Sequence, residues 1–212
     1  KGYSHDTAMD ITLFTRQGVE RIQRFAFEIA RSRPRKLLTL VTKSNAQRHG
    51  MVMWDEIFEE ISQDYRDITT DKMLVDAMTT RMVLDPQSID TVVASNLHAD
   101  ILTDLAASLS GSMGIAPTGN LDPEKRHPSM FEPIHGSAFD IMGQGIANPI
   151  GSYWSAVMML ENLGELKASQ RLMSAIEKLT SDKKILPKDL GGKSSTKEVT
   201  KAMINIISGK NK

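Results

Sequence analysis

Short apolar runs that do not alternate with polar residues, separated by amphipathic segments, constrain the fold of this chain more than any other feature. Residues 37–42 read Leu-Leu-Thr-Leu-Val-Thr. Such a run is typical of a strand that is covered on both faces, as in a parallel sheet. Further β-prone runs lie at residues 72–75 and 91–95. Strands that alternate with helices predict an α/β fold.

Amphipathic helices are predicted between these strands. From Thr15 to Ser32 the apolar residues recur at three- and four-residue steps, and Pro34 closes the helix. Further helices are predicted over residues 54–65, from Asp76 to Asp85, and from Ala99 to Leu109.

The composition changes after Ser110. Residues 111–150 contain six of the fourteen glycines and five of the eight prolines, so mostly loop is predicted there. Loops of that length inside a compact protein are usually functional. Three helices are predicted to follow, over residues 148–163, over residues 167–180, and after the capping box Ser195-Thr196-Lys197-Glu198. The sequence thus predicts two domains, residues 1–110 and 111–212.

Charge and cysteine content exclude several classes of protein. The chain has 26 basic and 26 acidic residues, which argues against a nucleic-acid coat or a polybasic membrane-surface protein. It has no cysteine, which excludes disulfides, thiolate catalysis and cysteine-ligated metals. No apolar run reaches the roughly 18 residues of a membrane span, and no signal segment opens the chain. We expect a soluble cytoplasmic protein without nucleic-acid or membrane partners.

Two aspartates give the strongest chemical signal. Asp100 and Asp104 are four residues apart at the predicted start of a helix, so their carboxylates project from one face about one turn apart. Like charges repel at that spacing unless a cation lies between them, and hard oxygen ligands suit Mg²⁺ or Mn²⁺. The helix dipole could instead stabilise the same acids in a first turn. Spacing alone leaves both interpretations open.

Lys43 and Asp76 both lie close to the end of a predicted strand. Ligands bind α/β proteins beyond the carboxyl ends of the strands, so both are candidates for a site. Asp76 could equally be a helix N-cap, and Lys43 a surface lysine. His98 and His135 have no second histidine at ligand spacing, so no zinc site is predicted.

The segment Glu132–Ile141 is a candidate ligand loop. His135 can stack or form hydrogen bonds, and Asp140 can accept a hydrogen bond from a ribose diol while repelling a 2′-phosphate. A flat ligand can approach the backbone closely at three small residues, Gly136, Ser137 and Ala138. A tight structural turn would have the same composition.

Six motifs occur in one order along the chain. They are Phe14-Thr15-Arg16-Gln17-Gly18-Val19-Glu20-Arg21-Ile22, Thr42-Lys43-Ser44-Asn45, Ala94-Ser95-Asn96, Asp100-Ile101-Leu102-Thr103-Asp104, Glu132–Ile141 and Ile146-Ala147-Asn148-Pro149. Together they resemble the metal-dependent β-decarboxylating dehydrogenases, the family of isocitrate, isopropylmalate, and tartrate or D-malate dehydrogenases. The Thr-Lys-Ser-Asn motif and Gly114-Ile115-Ala116-Pro117 favour the tartrate/D-malate branch. The resemblance covers nearly all of residues 12–208.

The resemblance implies an isopropylmalate-dehydrogenase-like two-domain fold and NAD-dependent oxidation and decarboxylation of a small 2-hydroxy dicarboxylate. Asp100 and Asp104 match Mg²⁺ or Mn²⁺ ligands, and Asp76 matches a third ligand contributed across a homodimer interface. Lys43 matches the lysine of proton transfer and, like Asp76, would serve the partner's site. In the family, an aspartate at the position of Asp140 is associated with the use of NAD rather than NADP. The implied NAD-binding residues are Glu132, His135, Gly136, Ser137, Ala138, Asp140 and Asn148.

Some family features have no counterpart here. The N-terminal section, with its substrate-binding arginines and a catalytic tyrosine, is missing; Tyr3-Ser4 is similar to the sequence near that tyrosine, but lies closer to Phe14 than usual. We therefore expect a C-terminal portion of the fold or a naturally shortened relative. The alternatives are a 3-isopropylmalate dehydrogenase and a non-catalytic subunit of the same fold. Four further departures from the family pattern are His98, Ala99, Phe139 and Gly151-Ser152-Tyr153.

Overall fold

The computed structural model describes Gly2 and residues 4–209, and the chain divides into two compact units. Unit 1 comprises residues 1–102 and unit 2 comprises residues 103–212, so the division falls within a helix. Tyr3, the candidate counterpart of the family's catalytic tyrosine, lies outside the described residues.

Unit 1 alternates helices and strands. Its elements are α1 (Arg16–Ser32), β1 (Leu37–Thr42), α2 (Gly50–Ser62), β2 (Thr69–Leu74), α3 (Val75–Leu84), a 3₁₀ helix (Pro86–Ser88), β3 (Thr91–Val93) and α4 (Asn96–Leu109), which continues into unit 2. The strands form a parallel sheet in the order β2-β1-β3. The predicted α/β class is confirmed.

Helix α1 packs its apolar face on α2 and the loop that follows it. The Thr15 side chain caps the helix by accepting a backbone N–H from the first turn. Phe27 is completely buried and stacks on Phe58 and Tyr65, with ring centroids 5.1 and 4.6 Å away. These aromatic contacts hold α1 in the core of unit 1. The predicted apolar stripe is only partly buried, because Ile22 and Ile29 are 42% and 40% exposed. The buried residues of α1 are Val19, Gln23, Ala26, Phe27 and Ala30.

The central strand β1 is covered on both faces, as its lack of alternation predicts. Leu38, Leu40 and Val41 are completely buried. In the parallel register Thr42 lies opposite Leu74, so β1 and β2 end at the same level. The residues that follow the two strands therefore meet at one edge of the sheet.

Several element boundaries differ from the predictions. Strand β2 begins at Thr69, earlier than predicted, and β3 is shorter, ending at Val93. Asp76 is not an N-cap, because Leu74 occupies the cap position of α3 and Asp76 lies within its first turn. Local propensity could not place these ends, because the extent of pairing with β1 decides them.

Helix α4 begins at Asn96 rather than at Ala99. The carbonyl of Ser95 accepts the Ala99 N–H at 2.8 Å, so the helical bonding starts one turn earlier than predicted. No acidic residue of α4 lies in its first turn. The helix dipole therefore gives no account of Asp100, because its effect falls off beyond the first turn.

Unit 2 combines a small antiparallel sheet with a group of helices. Its further elements are β4 (Pro117–Asn120), β5 (Met130–Pro133), α5 (Ile150–Asn162), α6 (Leu166–Ser181), α7 (Thr196–Ile207) and 3₁₀ helices at Met113–Ile115, Phe139–Ile141 and Lys188–Leu190. Strands β4 and β5 pair antiparallel. Residues 111–150 thus consist mostly of loop with short elements, as predicted.

The three helices of unit 2 share one core. Ile150 and Val157 of α5 pack with Leu179 of α6 and with Val199 and Met203 of α7. A cavity of about 430 Å³ adjoins this core and is lined mainly by apolar side chains. In the part of the chain that the structure describes, no helix combines the length and the apolar character that a membrane span needs.

The predicted capping box of α7 is confirmed. The Ser195 side chain accepts the Glu198 N–H, and the Glu198 carboxylate accepts the Ser195 N–H. These bonds satisfy two main-chain donors that a helix start otherwise leaves unpaired.

A tight turn precedes α7 and depends on a glycine. Ser194 N–H donates to the Leu186 carbonyl at 3.0 Å, and Gly192 N–H donates to the Pro187 carbonyl at 3.0 Å. A Cβ on Gly192 would lie 1.9 Å from the Leu186 carbonyl oxygen. Because the backbone fixes the position of a Cβ and the oxygen belongs to the backbone, no side-chain rotation can relieve that overlap.

We expect Gly192→Ala to lower the free energy of unfolding by roughly 1–3 kcal/mol, since the turn must open to admit a methyl group. Thermal unfolding followed by circular dichroism would measure the change. Gly136→Ala is the matched control, because nothing lies within 4 Å of a Cβ there. Equal melting temperatures for the two variants would contradict this account of the turn.

Candidate active site and cofactor loop

Two of the predicted site residues meet at the carboxyl edge of the unit 1 sheet. Lys43 directly follows β1, and Asp76 lies in the first turn of α3, which follows β2 without a loop. Lys43 Nζ donates to Asp76 Oδ1 at 2.5 Å. The parallel register brings the two residues together across 33 positions of sequence.

The Lys43–Asp76 pair keeps the carboxylate charged. The hydrogen bond from Lys43 is the largest cause of a pKa for Asp76 below its ordinary value, and a backbone hydrogen bond lowers it further. The Asp76 side chain is 65% exposed, whereas that of Lys43 is 27% exposed. The carboxylate can therefore accept a further ligand from solvent while the lysine is partly enclosed.

A buried carboxylate that sequence reasoning missed holds the Lys43 loop. Asp55 of α2 is buried, and its Oδ2 accepts the Ser44 hydroxyl at 2.9 Å. Lys72 Nζ lies 3.3 Å from the same oxygen and balances its charge. A signal was present, because Asp55 follows Met51 by four residues and so lies on the buried face of α2.

His98 provides a neutral imidazole in unit 1. It is buried, and burial is the main cause of its lowered pKa, to which the charge of Lys43 adds. Its Nδ1 has no hydrogen-bond partner among the described residues. The sequence identified His98 as a histidine without a zinc partner and as a departure from the family pattern, but did not predict its burial.

Asp100 and Asp104 lie one turn apart on α4, and both are exposed. Their spacing and their hard oxygen donors fit a divalent cation. Across the described residues, no three His, Cys, Asp or Glu side chains come together to hold a metal ion. The predicted three-aspartate site, with Asp76 contributed by a second copy, stays a prediction.

The predicted cofactor loop extends from β5 into a 3₁₀ helix. Glu132 lies on β5, and Asp140 lies in the 3₁₀ helix Phe139–Ile141. Ala138, directly before this 3₁₀ helix, has a left-handed conformation with φ of 44°. Residues 135–140 are all exposed, so the small side chains at residues 136–138 leave the backbone there accessible from solvent. The Asp140 carboxylate can accept from a ribose diol there.

Asn148 lies just before α5 with both ends of its side chain in use. Its Oδ1 accepts the Ile150 N–H at 2.9 Å, and its Nδ2 donates to Asp189 Oδ2 at 2.8 Å. The main-chain N–H and C=O of Asn148 make no hydrogen bond with residues 4–209. Sequence reasoning did not identify Asp189.

Comparisons with known proteins agree on one family. A model of the isocitrate/isopropylmalate dehydrogenase family matches residues 1–206. The chain is 62% identical to a probable tartrate dehydrogenase/decarboxylase of Agrobacterium vitis, over all of the chain and 59% of the relative. It is 44% identical to the decarboxylating D-malate dehydrogenase of Escherichia coli, over 98% of the chain and 58% of that protein.

A solved structure shares the fold. The isocitrate dehydrogenase of Methylococcus capsulatus superimposes with a TM-score of 0.89 at 39% identity, over 93% of this chain and 58% of that chain. The chain therefore spans a little over half the length of these relatives.

The Lys43–Asp76 pair predicts a shift in titration. Because the pKa of Asp76 is depressed in the folded state, the pair's contribution to stability is present above the ordinary value of 3.8 and is lost as the pH falls below it. Lys43→Met removes the hydrogen bond that is the main cause of this lowered pKa, so the pKa of Asp76 should rise towards 3.8. Carboxyl ¹³C NMR titration measures it.

Lys36→Met is the matched control, because Lys36 pairs with Asp67 in the same unit. It should leave the titration of Asp76 unchanged. If the pKa of Asp76 is the same in wild type and Lys43→Met, Lys43 does not lower it, and the proposed pairing is wrong.

Proposed function

Because the chain belongs to the isocitrate/isopropylmalate dehydrogenase family, we propose that this protein catalyses the NAD-dependent and Mg²⁺- or Mn²⁺-dependent oxidation and decarboxylation of a small 2-hydroxy dicarboxylate. The relatives named for tartrate and D-malate favour a substrate of that type. The Lys43–Asp76 pair at the carboxyl edge of a parallel sheet is the observation that carries the proposal.

Lys43 is the proposed site of proton transfer. The Lys43 ammonium would first release a proton to solvent, and the neutral Nζ would then take up the proton of the substrate's 2-hydroxyl as the C–H bond breaks. Asp76 holds that nitrogen in place through the 2.5 Å hydrogen bond. The Ser44–Asp55 hydrogen bond fixes the loop on the other side of Lys43, so the lysine is positioned from two elements. Positioning of this kind lowers the entropy cost of the reaction.

Asp100, Asp104 and Asp76 are the proposed metal ligands, with Asp76 supplied by the second copy in a homodimer. When bound, NAD⁺ accepts the hydride, and the divalent cation polarises the substrate oxygens and stabilises the negative charge left by CO₂. Asp76 and Lys43 lie side by side, so both can enter the same neighbouring site.

The proposed NAD site comprises Glu132, His135, Gly136, Ser137, Ala138, Asp140 and Asn148. Asp140 accepts from the ribose hydroxyls and would repel a 2′-phosphate, which selects NAD over NADP. A cytoplasmic location, expected from the cysteine-free sequence, belongs to the same proposal.

The metal site can be tested by ligand substitution. Asp104→Asn should weaken Mn²⁺ binding by about tenfold or more, because a carboxylate ligand and its charge are lost. The dissociation constant is read by isothermal titration calorimetry and by the Mn²⁺-dependent rise in melting temperature. Asp85→Asn, another exposed aspartate, is the control and should bind as wild type does. Unchanged binding in Asp104→Asn would exclude it as a ligand.

The reaction is tested by NADH absorbance with Mn²⁺, NAD⁺ and, in turn, D-malate, tartrate and 3-isopropylmalate. Turnover of D-malate or tartrate is expected from the protein at its full natural length. Turnover of 3-isopropylmalate alone would make it an isopropylmalate dehydrogenase. Mn²⁺ and NAD⁺ binding without turnover of any of the three would favour a non-catalytic subunit.

A further inference from the structure

Asp189 joins three separate segments of unit 2. It lies in the 3₁₀ helix Lys188–Leu190, and its Oδ2 accepts hydrogen bonds from the Ser112 hydroxyl and from Asn148 Nδ2, the latter at 2.8 Å. Ser112 Oγ in turn accepts the Gly114 N–H at 2.9 Å. One carboxylate oxygen thus connects the segment after α4, the start of α5 and the turn before α7.

The orientation of Asn148 follows from the chemistry of its two partners. A carboxylate oxygen can only accept, so the NH₂ group of Asn148 must face Asp189. A backbone N–H can only donate, so the amide oxygen must face Ile150. These two bonds fix the orientation of the Asn148 amide group and connect it to the first turn of α5.

Two glycines let the backbone pack closely around this junction. A Cβ on Gly114 would lie 2.7 Å from Asp189 Oδ2 and 3.0 Å from Asn148 Cβ. A Cβ on Gly151 would lie 3.0 Å from the Gly114 carbonyl oxygen. The departure from the family pattern at Gly151 is thus accommodated by close backbone packing. The backbone thus packs closely beside the junction, while the Asp189 side chain itself is exposed.

We propose that Asp189 is a positioning residue for the cofactor site, acting through Asn148. The inference rests on the proposed NAD site and deepens it. Asp189 holds the Asn148 side chain, and Asn148 in turn fixes the first N–H of α5, so that the main chain at residue 148 is ready for the nucleotide before it binds. Preorganisation of this kind lowers the cost of binding.

The test compares two substitutions of Asp189 in NAD⁺ titrations of the full-length protein, followed by calorimetry. Asp189→Ala removes the acceptor and should raise the NAD⁺ dissociation constant about fivefold, the effect of one hydrogen bond. Asp189→Asn should stay within about twofold of wild type. The amide oxygen can replace Oδ2, because Oδ1 of Asp189 bonds to none of the described residues.

Two further readouts separate positioning from general stability. Hydrogen exchange of residues 145–152 without NAD⁺ should be faster in Asp189→Ala and unchanged in Asp189→Asn. In steady-state assays Asp189→Ala should raise the KM for NAD⁺ while kcat stays within about twofold of wild type. Asp182→Ala, which removes an exposed aspartate at the end of α6, is the control and should change none of these quantities.

Each remaining outcome overturns a defined part of the scheme. A wild-type protein that does not bind NAD⁺ would overturn the cofactor site and, with it, the role of Asp189. Equal NAD⁺ affinity in wild type and Asp189→Ala would overturn the role of Asp189 alone. Equal weakening by Asp189→Ala and Asp189→Asn would show that the charge matters rather than the hydrogen bond.

Discussion

The parallel pairing of β1 with β2 is the interaction on which the candidate active site depends. All six residues of β1 pair in register with β2, so the two strands end at the same level. Lys43 and Asp76 lie just beyond those ends and contact each other there. The pairing is supported by the apolar residues of β1, which are buried on both faces of the sheet. A slip of two residues would preserve the faces of the strands and still separate the lysine from its carboxylate by about two strand positions.

Buried polar groups around this edge give the site its electrostatic character. Asp55 is buried and its charge is compensated by Ser44 and Lys72, while the buried His98 Nδ1 has no partner in the part of the chain that the structure describes. Burying such groups costs free energy, which the packing of unit 1 must offset. Lys43 therefore contacts the exposed Asp76, and the loop that carries it is held by the buried Asp55. That arrangement suits a residue that must exchange a proton in a fixed position.

In unit 2, loops rather than a sheet hold the candidate site residues in position. The predicted cofactor loop has little regular structure. Asn148, which follows it, donates to Asp189 of a distant segment and accepts the N–H of Ile150. Helices α5, α6 and α7 provide the apolar core against which those segments rest. The glycines permit the close backbone contacts, so small residues and a single carboxylate do the work that strand pairing does in unit 1.

The sequence by itself determined the class of fold, the central strand at its observed bounds, the capping box of α7 and the family. Those features depend on neighbours within one or two turns of chain, where spacing and propensity act directly. The ends of β2, β3 and α4 required the tertiary structure, because pairing and main-chain bonding decide where an element stops. So did the contact of Lys43 with Asp76, and the roles of Asp55 and Asp189. These residues lie far from their partners in sequence, and only the folded chain brings one carboxylate oxygen to two donors at once.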